Sequence, residues 1–206
     1  MNLIKFNNDD KDGWKHLVDY DNHNSIRLGS RMMITGMPGS GKSNLILNLI
    51  LNSNFDNIII KNHKTSKEFS QIDYIKLEKF EDLDEILDNL IDEKNLVIFE
   101  DTNKLPTKES QYKPIEELFA YRCSHNGNAA IIIGQSPYSI PTQIRKLIEI
   151  YYVFGGSESF VYSLPILKEH KQHIVYLLKQ CKCKHDFVKI DLVLKRYWFN
   201  NDEIKL

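Results

Sequence analysis

Residues 36–43 read GMPGSGKS, held between the apolar run RMMIT at 31–35 and the amphipathic stretch NLILNLIL at 44–51. This arrangement restricts the fold more than any other feature: a buried strand must deliver the loop and a helix must leave it. Gly36, Gly39 and Gly41 let the backbone turn tightly, so that its N–H groups converge on an anion. The helix starting near Lys42 adds its positive N-terminal end. The pattern therefore predicts a nucleotide-phosphate cradle made of Gly36, Met37, Pro38, Gly39, Ser40, Gly41, Lys42, Ser43 and Asn44. Within it Lys42 contacts the β- and γ-phosphates and Ser43 a Mg²⁺ ion. A Gly-rich turn that merely precedes a helix would leave the Lys-Ser pair unexplained.

The rest of the chain continues the alternation. NIIIK at 57–61, LVIF at 96–99, AAIIIG at 129–134 and EIYYVF at 149–154 read as short buried strands. Between them, residues 62–76 read as a surface loop, and EDLDEILDNLIDE at 81–93 sets Leu83, Ile86, Leu87, Leu90 and Ile91 at helical spacing. Pro114 is placed to open a helix running to about Ser124, and Pro141 another. Strands alternating with helices predict an α/β fold with a mainly parallel sheet flanked by helices on both faces. Past Gly155-Gly156 the pattern changes to a helix around 166–180, then FVKIDLVL and KRYWF as an antiparallel hairpin at the sheet edge. The 206 residues suit one domain: an N-terminal extension at 1–26 anchored by Trp14, Leu17 and Val18, a core at 27–156, and a C-terminal helix and hairpin at 157–206.

Composition narrows the setting. Three cysteines do not make a disulfide framework in a chain this long, which points to a reducing compartment. No apolar stretch approaches the length of a bilayer span and the N-terminus has no signal-peptide core, so a soluble intracellular protein without membrane insertion is expected. Net charge is −1, but residues 78–101 hold ten acids against two lysines while 161–206 hold nine bases against five acids. Lys168, Lys171, Lys179, Lys182 and Lys184 in the latter stretch read as a DNA-backbone contact or as a solvated face. CKCKH at 181–185 has zinc-ligand residue types but lacks the spacing that wraps a tetrahedral ion.

A hydrolytic phosphate-loop protein needs an acid at the end of a neighbouring strand for the water shell of Mg²⁺, and often a second acid to orient the attacking water. Only LVIFED ends so, at Glu100 and Asp101. Either Glu100 reaches the metal, partly through water, and Asp101 activates water, or the register slips by one and Asp101 is the metal acid. Gln135 closes AAIIIG, where its amide could bond both the γ-phosphate and the attacking water. Of the five arginines, Arg122 and Arg145 end helices flanking that strand and are candidates to reach a nucleotide held by a neighbouring subunit.

Taken in order, GMPGSGKSNLILNLI, FDNIIIK, LVIFED and YRCSHNGNAAIIIGQSPYSIPTQIRKLIEIYYVF resemble the FtsK-HerA superfamily, and within it the genome-packaging ATPases of poxvirus-like DNA viruses and virophages. The similarity spans about residues 27–156. It departs from the family where Ser124 precedes His125, the family having an Arg there, and in the Glu-Asp order of the acid pair. Arg145 matches its place better than Arg122. The resemblance implies a RecA-like (ASCE) P-loop sheet and ATP as fuel. It also implies a pentameric or hexameric ring of identical subunits that moves double-stranded DNA into a capsid through a capsid or portal-type partner. The setting it implies is the host cytoplasm or a virus factory, with association to the virion.

Other classes fit less well. A GTPase needs N-K-x-D, yet Asn103-Lys104 is followed at the Asp position by Pro106. The signature helix of transporter ATPases is absent. A nucleoside or nucleotide kinase shares the loop and the size but places several arginines on a lid, where the stretch 104–128 has only Arg122. A nucleotide-binding scaffold would leave both acids and Gln135 idle.

Overall fold

The structure, a computed structural model, describes residues 25–61, 69–100 and 109–205. The anchors proposed at Trp14, Leu17 and Val18, and Asp101 itself, lie outside the described residues.

The strands are β1 Arg31–Thr35, β2 Asn57–Lys61, β3 Ile75–Lys76, β4 Asn95–Phe99, β5 Ala129–Gly134, β6 Ile150–Phe154, β7 Phe187–Asp191, β8 Arg196–Phe199 and β9 Asp202–Ile204. They form one nine-stranded sheet in the order β3-β2-β4-β5-β1-β6-β7-β8-β9. The first six are parallel, and β6 through β9 run antiparallel. The sequence pattern predicts the pairing of β7 with β8; β9, too short to carry a periodicity, adds the true edge strand beyond them.

The helices are α1 Lys42–Leu51, α2 Leu83–Asn89, α3 Glu109–Glu117, α4 Cys123–His125, α5 Thr142–Arg145, α6 Glu158–Val161 and α7 Lys168–Lys179. Two apolar clusters divide the sheet residues by parity, because successive side chains of a strand point to opposite faces. Met33, Val97, Phe99, Ile132 and Val153 share one cluster with Leu83, Ile115, Ile144, Phe160 and Ile174 from α2, α3, α5, α6 and α7. Met32, Ile34, Ile98, Ile131 and Phe154 share the other with Ile46, Leu49 and Ile50 of α1. Among the described residues, α1 is therefore the only α-helix packed on that second face.

Three sequence expectations change. The helix at 81–93 stops at Asn89, with Leu90 already out of helical geometry, so Ile91 is 52% exposed. Pro114 lies inside α3 rather than at its start, and the helix runs on as a π-helical turn, Leu118–Arg122, before α4. A proline at that depth removes one backbone donor and crowds the turn before it, not the π-helical turn that follows. The segment expected to be a loop, of which 62–68 lie outside the described residues, contains Phe69, fully buried, and the short strand β3.

A candidate nucleotide site at the carboxyl ends of the parallel strands

β1 is flanked by β5 and β6 in parallel register, with Thr35 level with both Gly134 and Val153. All three strands run the same way, so Gly36, Gln135 and Phe154 emerge together at one end of the sheet. Gly36 N–H donates to Gly134 O (3.3 Å) and Thr35 Oγ1 to Gln135 O (3.5 Å), tying the loop's first turn to the strand that Gln135 ends. The close packing explains Gly36 directly: a Cβ there would sit 2.6 Å from Phe154 Cβ. Gly41 caps α1 at φ 95°, in the left-handed region that suits glycine, and no acidic side chain lies in the first turn of α1. The helix thus presents its first N–H groups and its positive end to the loop.

Lys42 Nζ donates to Gly36 O and Met37 O, both at 2.8 Å, so its ammonium is held inside the loop. Burial lowers its pKa, and the negative charge of Glu100 acts in the opposite direction. Glu100 itself is half-buried just past β4, its N–H donating to Lys61 O (2.9 Å). Ser40 is 2% exposed and its Oγ has no partner among the described residues. Met37, Pro38, Gly39 and Asn44 are exposed and Ser43 is half-buried. A cradle of glycines, a positive helix end, a buried hydroxyl without a partner among the described residues and a lysine folded into the loop fit a bound polyphosphate, and Ser43 and Glu100 are oxygen donors of the type a divalent cation takes.

β5 lies between β1 and β4, at about 4.8 Å per strand spacing. The end of β5, carrying exposed Gln135, is accordingly interposed between the phosphate loop and Glu100.

The two arginines separate. Arg122 is 7% exposed and its guanidinium pairs with Asp88 (2.8 Å) and Asp84 (3.3 Å) of α2. Its carbonyl accepts from Asn128, next to the start of β5, so the structure sets Arg122 at the end of the sheet away from the phosphate loop. Arg145, at the end of α5, donates to Thr142 Oγ1 (3.0 Å) and stacks 5.6 Å from the ring of exposed Tyr138. It enters no ion pair among the described residues.

The turn 181–186 was not expected at the site, yet it lies on the loop. Lys184 Nζ is 3.5 Å from where a Cβ on Gly39 would stand, and His185 Nδ1 is 3.0 Å from Ser40 O. No local pattern in the sequence signals this contact across some 145 residues; the basic character of the segment is the only hint.

With this geometry in view, solved structures supply a comparison. The DNA-packaging ATPase B204 of Sulfolobus turreted icosahedral virus superposes with a TM-score of 0.61 at 15% identity, covering 84% of this chain and 98% of that one. B204 of Sulfolobus turreted icosahedral virus 2, a genome-packaging NTPase in complex with AMPPCP, superposes with the same TM-score and identity over 84% of this chain and 97% of its own. This chain has their fold. The cytoplasmic domain of EssC matches less fully, with a TM-score of 0.52 at 15% identity over 69% of this chain and 34% of that one. No protein-family model matches the chain, and no curated protein matches it. Among the described residues no helix is long and apolar enough to cross a membrane.

Proposed function

We propose that this chain is an ATP-hydrolysing DNA translocase subunit of the viral genome-packaging type, built on a RecA-like (ASCE) P-loop core at 27–156 with the C-terminal helix and sheet extension at 157–206. The observation that supports this reading is the insertion of β5, the strand that Gln135 follows, between β1, which leads into the loop of Lys42, and β4, which leads to Glu100. A side-chain amide there can accept from an attacking water and donate to a γ-phosphate oxygen at once. The fold shared with the genome-packaging NTPase B204 of Sulfolobus turreted icosahedral virus 2, solved in complex with AMPPCP, supports the assignment of ATP as substrate.

In this reading the loop 36–43 and Asn44 hold the triphosphate and Lys42 bridges its β- and γ-phosphates. Ser43 and Glu100, the latter partly through water, hold Mg²⁺. That ion would neutralise phosphate charge as the terminal bond breaks. Asp101, next in the chain after Glu100, accepts the proton of the attacking water, and Gln135 orients that water. Arg145, rather than Arg122, completes a neighbour's site, because the guanidinium of Arg122 is committed to two carboxylates of its own subunit. The assembly is a homo-oligomeric ring acting on double-stranded DNA at a capsid or portal-type protein.

The test is ATP turnover by the purified full chain with and without linear double-stranded DNA. Turnover should rise several-fold with DNA, and Lys42→Ala should reduce it by about 10²-fold or more. Turnover that survives in Lys42→Ala sinks the site assignment. Phosphate transfer to a nucleoside or nucleotide in place of hydrolysis would make the chain a kinase.

A further inference from the structure

Resting on the nucleotide reading of the P-loop, we propose that the turn Cys181–Asp186 forms a wall of the same subunit's nucleotide site and that Lys184 supplies a second ammonium to the triphosphate. The turn links α7 to β7, more than 140 residues after the loop it covers. Its shape is fixed from inside. Asp186 Oδ2 accepts from the N–H groups of Lys182 and Cys183, both at 3.1 Å, and Oδ1 accepts from Asn200 Nδ2, also at 3.1 Å. Asp186 N–H closes the turn on Cys183 O (3.1 Å), and Asp186 O accepts from Gly155 N–H at 3.4 Å, just past β6. Asn200 is itself paired with Phe187 through backbone and side chain, at 2.9 and 3.0 Å. Asp186 thereby ties the turn to the sheet on both sides, through its carboxylate to Asn200 and through its main-chain carbonyl to Gly155.

The turn then touches the phosphate loop at two consecutive positions. His185 Nδ1 lies 3.0 Å from the Ser40 carbonyl, a contact that requires the proton on Nδ1. The ring also approaches Gly41, where a Cβ would stand 3.0 Å from Nδ1. Lys184, one residue earlier, brings its ammonium over Gly39. That residue is exposed and enters no ion pair among the described residues. A cation held over a loop whose own lysine is bonded inward adds charge where a triphosphate would carry its own, and a lysine tip can swing onto phosphate oxygens without moving the backbone. Lys182, in the same turn, makes no contact with a glycine of the loop among the described residues and serves as an internal control. A DNA-backbone role for this basic segment would engage both lysines, whereas a nucleotide role engages only Lys184.

The experiment is isothermal titration of the full chain with AMPPCP and, separately, with AMP, for wild type, Lys184→Ala, Lys184→Arg, Lys182→Ala and Lys42→Ala. Lys184→Ala should weaken AMPPCP about tenfold, a charge-assisted contact's worth. The same change should leave AMP within about twofold, and Lys184→Arg should recover most of the loss. Lys182→Ala should bind both as wild type does. AMPPCP binding unchanged in Lys184→Ala while lost in Lys42→Ala overturns the role of Lys184 and leaves the P-loop reading intact. Equal losses of AMPPCP and AMP, or equal losses in Lys182→Ala, overturn it too, the first as a collapse of loop shape and the second as general basicity. Failure of wild type to bind AMPPCP overturns the P-loop reading itself and this inference with it.

Discussion

Lys189 illustrates how a single residue departs from what its neighbours in sequence suggest. In FVKID the alternation puts it on one face with Phe187 and Asp191, yet no pattern says how deeply that face is covered. It is 5% exposed, with its ammonium 4.7 Å from the Trp198 ring centre and 5.7 Å from that of Tyr152. Burial outweighs the nearby Asp191 carboxylate and lowers its pKa to about 8. Between about pH 8 and the ordinary lysine value the unfolded chain keeps a proton that the folded chain has released, so stability rises with pH across that window. In chemical denaturation from pH 8 to pH 10 the wild type should gain on the order of 1–3 kcal/mol relative to Lys189→Met. The thiols of Cys123 and Cys181, pushed up by burial to about 12 and about 11, act in the opposite direction in both proteins and drop out of that difference. The tyrosines work the other way, Tyr151 being pushed up to about 12 by burial and Tyr152 upward by the same cause, but only above their ordinary value near 10. The same pH profile in wild type and Lys189→Met would refute the assignment.

At the scale of elements, the acid-rich stretch before β4 reads from sequence as a solvated helix face. In the fold, two of its acids, Asp84 and Asp88 of α2, meet Arg122 at the end of the π-helical turn and join α2 to α3–α4. An arginine that spacing alone makes a candidate for a neighbour's nucleotide is thereby a strut of its own subunit. Arg122→Ala should cost about 1–3 kcal/mol in urea denaturation, since a nearly buried cation holds both carboxylates. ATP turnover per folded chain should stay within about twofold. A hundredfold loss of turnover at unchanged stability would return Arg122 to the site. The proline in α3 makes the same point about local rules: Pro114 is a sound starting signal in isolation, but packing of Ile115, Leu118 and Phe119 into the core carries the helix through it.

For the whole molecule, the arrangement leaves Arg145 on an outer helix, stacked on an exposed tyrosine rather than buried in a carboxylate pair. If it serves a neighbour, its loss is felt by subunits other than the one that carries it. Mixing wild type with Arg145→Ala chains at increasing ratio should lower DNA-stimulated turnover faster than the mutant fraction, with a roughly 10²-fold loss for the pure mutant. A fall in simple proportion would confine Arg145 to its own subunit. Turnover should also depend on protein concentration, because a site completed by a neighbour needs assembly.

The sequence by itself determined the glycine-rich loop between β1 and α1, the strands that Glu100 and Gln135 follow, and the α/β class. These rest on short-range chemistry: glycines and a Lys-Ser pair at fixed spacing, and apolar runs whose period and length separate strand from helix. Only the tertiary structure decided the strand order that interposes β5 between Lys42 and Glu100, the burial of Lys189, the pairing of Arg122 and the placement of the 181–186 turn over the loop. Each of these is a contact between segments distant along the chain. Such contacts depend on which faces are covered and which strand ends converge, and neither propensity nor spacing encodes that.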